Sequence, residues 1–143
     1  MTTPIGKFRE TMAKLLEKLE EWAQGNIQQE MELDKFKTKF NLAMKANPRG
    51  SVEFFVTAIE PYADHILTGN DEYFLGAHIE VEDEYDSLSR QLKSWWPQLA
   101  ETQRNYVKKT FQLLLMQGAI ATSHQGLRKV INRYRSADSQ LNF

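Results

Sequence analysis

The chain of 143 residues has no cysteine, four prolines, seven glycines and no long apolar run. Each shortage excludes something. Without Cys there is no disulfide, no thiolate nucleophile and no Cys-ligated zinc or iron–sulfur centre. The longest apolar run is Leu113-Leu114-Leu115-Met116, far below the ~18 residues that a membrane span requires. The opening Met1-Thr2-Thr3-Pro4 leads into a charged amphipathic stretch, without the apolar core of a secretory signal. These features predict an intracellular, cytoplasmic protein that does not enter a membrane. No tract is of low complexity and no segment repeats.

Basic residues are also missing from one long stretch. Residues 50–89 carry 10 acidic and no basic side chains, while residues 90–143 carry 9 basic and 2 acidic ones. Residues 1–49, with 9 basic and 7 acidic groups, are nearly balanced. The overall charge of −1 therefore hides an acidic waist and a basic end. The 41% hydrophobic and 26% charged fractions are those of a folded domain. A chain of this length matches one domain of ~100–150 residues.

The apolar periodicity is helical. Phe8, Met12, Leu15, Leu16, Leu19, Trp22 and Ala23 predict a helix from about Pro4 to Gln24. Met31, Leu33, Phe36, Phe40, Ala43 and Met44 predict a second, from about Glu30 to Ala46. Asn47-Pro48-Arg49-Gly50 is a break, and Ser51 is the expected cap of a third helix with Val52, Phe55, Val56 and Ile59 inside. Pro61 either kinks that helix or starts another. Asp71 to Leu75 reads as a short helix, and residues 77–82 alternate as a short extended piece would. Tyr85, Leu88, Leu92, Trp95 and Trp96 mark a further helix ended by Pro97. Thr102 is the expected cap of a long, central helix reaching about Thr122, and Leu127, Val130, Ile131 and Tyr134 mark the last one. The prediction is an all-α, compact bundle of six or seven helices in one domain, residues 1–143, with a loose tail over 136–143.

The motifs of catalysis are missing. His65, His78 and His124 have no i, i+4 partner of a helical zinc site. Phosphate-cradling glycine loops, nucleophile elbows and calcium loops do not occur. The sequence calls for no enzyme activity, no cofactor and no metal.

Three features stand above the background. The first is the acidic block Asp71, Glu72, Glu80, Glu82, Asp83, Glu84 and Asp86. It either solvates a loop and a helix start or steers a basic partner protein onto the surface. The second is Trp95-Trp96, where adjacent helical residues about 100° apart would leave one Trp exposed as a docking anchor. The third is the basic end: Arg128, Lys129, Arg133 and Arg135 on the last helix, with Arg104, Lys108 and Lys109 on the helix before it. These groups could neutralise phosphates, with Asn132 as an outward polar reader. The pI of 6.3 argues against a nucleic-acid footprint for the whole domain, which would lie above ~9.

The middle of the chain resembles helical proteins of unknown function from large DNA viruses and phages. The similar elements are Phe55 and Ile59 ahead of Pro61, then Ile66, Asp71 and Phe74, the stretch Ile79 to Asp86, Trp95-Trp96, and the amphipathic run Asn105 to Leu115. They cover about half the chain, from Phe54 to Ala119. The resemblance implies a viral accessory or assembly protein and no catalytic residues.

The expected function is therefore protein–protein docking, by the acidic segment 71–86 and an adjacent aromatic, onto a basic partner. The alternatives are a nucleic-acid-associated factor using the basic last helix, and a self-assembling protein in which acidic waist meets basic end.

Overall fold

The computed structural model describes residues 3–69 and 93–137, with side chains up to Arg133. Six α-helices lie in these residues: α1 (Pro4–Trp22), α2 (Ile27–Ala46), α3 (Pro48–Ile59), α4 (Ala63–Thr68), α5 (Glu101–Thr122) and α6 (Gln125–Ala137). Among the described residues there is no strand, and no helix is long and apolar enough to cross a membrane. The fold is all-α. The proposed helix at 71–75, the extended piece at 77–82 and residues 138–143 lie outside the described residues. Ser136 and Ala137, expected in the tail, close α6.

The helix starts are written locally. Thr3 Oγ1 accepts from Gly6 N at 3.0 Å, and Pro4 takes the first turn, where a missing N–H costs nothing. Asn26 Oδ1 accepts from Gln29 N at 3.1 Å, so α2 begins at Ile27, three residues earlier than its periodicity suggested. Asn47, not Ser51, caps α3: its Oδ1 accepts from Gly50 N at 3.0 Å, and Pro48 opens the helix. Ser51 lies a turn inside and donates its hydroxyl to Asn47 O. A Cβ on Gly50 would collide with the Asn47 side chain, so this cap requires Gly. Thr102 is likewise inside α5. The cap position is Ala100, whose N–H donates to Gln103 Oε1 at 2.8 Å. The side-chain caps Thr3, Asn26 and Asn47 each stabilise their helix by about 1 kcal/mol. Pro61 falls in a 3-10 turn, Glu60–Tyr62, which separates α3 from α4.

α5 is the central element, packed on α1, α3, α4 and α6. It buries Val107, Phe111, Leu114, Leu115 and Ala119, while Leu113 and Met116 are half-buried and Ile120 is exposed. Gly118 lets α5 approach α3: a Cβ there would lie 2.6 Å from Val56 Cγ2. Phe8 meets Phe55 edge-on at 5.1 Å, and Trp22 meets Tyr106 at 5.8 Å, tying α1 to α3 and α5. α1 and α2 form an antiparallel hairpin across a short turn, and α2 packs on α1 and α3. α6 is anchored by Leu127 and Ile131, both buried. His124 fixes its start: Nδ1 accepts from Leu127 N at 3.1 Å. The ring proton is then left on Nε2, which lies 3.2 Å from Glu60 Oε2.

Candidate functional site

α2 is apolar on two sides. Leu33, Phe36, Phe40 and Met44 point into the core, each at most 2% exposed. Ile27, Met31 and Leu42 are 73%, 57% and 63% exposed. At about 100° per residue, Ile27, Met31, Thr38 and Leu42 fall within about 60° of one another, opposite the core residues. They make a stripe along the outer face of the helix, with exposed Thr38 as its polar interruption. Met31 was expected inside with Leu33. The structure turns it outward, because residues two apart on a helix point about 200° apart and Leu33 takes the core side.

Beside this stripe, α1 and α2 enclose an open groove lined by Glu17, Glu20, Glu21, Gln24, Glu30, Asp34 and Lys37. Glu20 pairs with Lys37 at 3.3 Å, both ends partly exposed, and Glu30 Oε1 accepts from Gly25 N at 3.2 Å. Exposed pairs of this kind are worth less than about 1 kcal/mol. The groove therefore keeps a surplus of negative charge. The other half of α2 is basic, with Lys35, Lys39 and Lys45 exposed. The hairpin is thus polarised, acidic towards its turn and basic away from it. The near balance of residues 1–49 concealed this polarity. The signal was in the order of the charges: Lys18 is the only basic residue between Leu15 and Asp34, and no acid follows until Glu53.

The structure corrects two of the sequence-predicted sites. Trp95 and Trp96 are both buried, at 4% and 0% exposure, so neither is a docking anchor. Adjacent residues still point about 100–120° apart through the 3-10 turn Trp96–Gln98, but here both directions are covered. Arg104 covers the second indole: its guanidinium sits 5.8 Å from the Trp96 ring, and its Nε donates to Trp96 O at 2.9 Å. Arg104 is thus held against the Trp96 turn by its Nε and the ring contact.

The rest of its row is also engaged. Lys108 is half-buried, and Gln112 Nε2 donates to Ile66 O and Leu67 O at 3.1 and 3.3 Å, closing the end of α4. Lys109 is exposed on another side of α5. On α6, Arg128, Lys129, Asn132 and Arg133 are all exposed, opposite Leu127 and Ile131. Among the described residues none of these three cations is in an ion pair. Arg135 belongs to α6 by its backbone. Asp71, Glu72, Glu80, Glu82, Asp83, Glu84 and Asp86 lie outside the described residues. No group of three or more His, Asp or Glu is arranged to hold a metal ion among the described residues.

Comparison with protein-family models, curated proteins and solved structures finds no match to this chain.

Proposed function

We propose that this protein is a non-enzymatic interaction module that docks a partner protein on the outer face of α2. The observation that carries this reading is the line of Ile27, Met31 and Leu42, exposed opposite the core face of the same helix. Single exposed apolar residues are ordinary on a protein surface. Three on one side of a single helix, two of them a turn apart, give a partner apolar area along that side. The acidic groove alongside adds charge selectivity, favouring a partner with basic groups next to its apolar ridge. The acidic segment Asp71 to Asp86 would steer the same class of partner from a distance.

Photo-crosslinking in the native cells tests the reading. A photo-reactive residue in place of Thr38 should capture protein, while one in place of exposed Thr57 on α3 should not. A chain that yields no adduct at position 38 is not docked there.

A second reading is supported by the exposed Arg128, Lys129, Asn132 and Arg133 on α6. There the protein binds nucleic acid through phosphate contacts, and its affinity falls steeply with salt. Replacing the three cations by Gln would abolish a low-salt gel shift. A shift that survives the replacement excludes α6 as the contact.

A further inference from the structure

The outward residues of α6 are ordered around the helix. With buried Leu127 as zero and about 100° per residue, buried Ile131 lies at about 40°. Exposed Gln125 and Asn132 fall at about 160° and 140°, on one line along the outer side. Exposed Arg128 flanks that line at about 100°, and exposed Lys129 and Arg133 flank its other side at about 200° and 240°. From Thr102 to Ala137 the chain has seven basic residues and no acid. Glu60, beside the start of α6, is turned to His124 Nε2. The acidic groove lies between α1 and α2, whereas α6 packs on α4 and α5. We infer that α6 lies in the major groove of duplex DNA, with the amides of Gln125 and Asn132 on base edges and Arg128, Lys129 and Arg133 on the phosphates to either side. The inference rests on the nucleic-acid reading above and names the form of nucleic acid and the groove.

Each part of this pattern selects against an alternative. A single strand is held by aromatic platforms on which its bases stack. No aromatic residue lies between Gln125 and Arg133. Duplex RNA has a deep, narrow major groove that side chains cannot read. The major groove of B-form DNA is about 12 Å wide and admits an α-helix. Arg128 and Arg133 diverge by about 140° around α6, so they reach opposite walls of such a groove. The line between them then points at the floor, where an Asn or Gln amide pairs with N6 and N7 of adenine. Gln125 and Asn132 are two turns apart, about 10 Å along the helix, a span of up to three base-pair steps of ~3.4 Å. The cations supply affinity and register, and the two amides supply the sequence preference.

Selection by the full chain from a pool of random-sequence DNA duplexes tests this. It should enrich a short site with adenines within about three base pairs of each other, bound about tenfold or more tighter than a scrambled duplex. Fluorescence anisotropy at low salt then compares variants, with circular dichroism to confirm unchanged helix content. Asn132→Ala should cost the selected duplex about fivefold or more beyond its cost to the scrambled one, and Gln125→Ala should do the same at a different adenine. Arg128→Gln and Arg133→Gln should each weaken both duplexes alike and lower the salt slope by about one. A pool in which no site is enriched overturns the inference. So does duplex RNA bound as tightly as the selected DNA, or a preference that survives both Asn132→Ala and Gln125→Ala. In each of these cases, binding that is lost when all three cations become Gln leaves the phosphate reading standing. A chain that binds none of these nucleic acids at low salt removes both.

Discussion

The two faces of α2 are built from the same kinds of residue and do opposite things. Phe40 and Leu42 are two residues apart, yet one is 2% exposed and the other 63%. The polar helices show the same division. Arg104 and Arg128 are both arginines on the amphipathic helices of the basic end. Arg104 is held by a carbonyl and an indole ring, and Arg128 projects into solvent. Side-chain type does not decide between core and surface here. The side of the helix already claimed by neighbouring elements does.

The largest effect that would sharpen this contrast is Phe40→Ala. Deleting a fully buried ring should cost about 3–5 kcal/mol, a drop in thermal midpoint of about 10 °C or more for a chain of this size. A small change would mean that the inner face of α2 is not core. Next comes the arginine pair. Arg104→Ala should cost about 1–2 kcal/mol by losing its bond to Trp96 O and its contact with the ring, measured by urea denaturation. Arg128→Ala should stay within about 0.5 kcal/mol. Equal losses at the two positions would break the comparison. The smallest effect is expected at Leu42→Gln, whose thermal midpoint should match the wild type within about 2 °C, the range for surface substitutions. Clear destabilisation there would show that the outer stripe serves the fold and not a partner.

Much of the fold was legible in the sequence. Phe8 to Leu19 and Val107 to Ala119 repeat at helical spacing and are buried as that spacing requires. α1 and α5 begin and end within about two residues of their periodicity. The helix starts were harder, because side chains compete for the same free N–H groups. Asn47 and Pro48 together outrank Ser51, and Asn26, which looks like a stop, is a start.

The candidate site was the least legible part. Periodicity detects apolar residues but not which side the core lies on, so a helix apolar on both faces merges into a single pattern and Met31 is misassigned. The acidic groove draws its carboxylates from two helices, and chain-order charge windows average it away. Trp95-Trp96 misled for a different reason. Divergent directions leave one Trp exposed only where a single side of the chain is covered, and at this helix end both sides are.

One residue, Asn47, ends α2 and begins α3. Its N–H donates to Ala43 O at 2.8 Å while its side chain receives Gly50 N. The joint contains no slack. A load applied to the outer face of α2 is handed across a single peptide to α3, and from there to α5 at the close contact of Val56 with Gly118. Whatever grips α2 therefore grips a stiff lever whose fulcrum is the middle of the core, and lengthening the joint by a flexible residue would uncouple the grip from the body of the molecule.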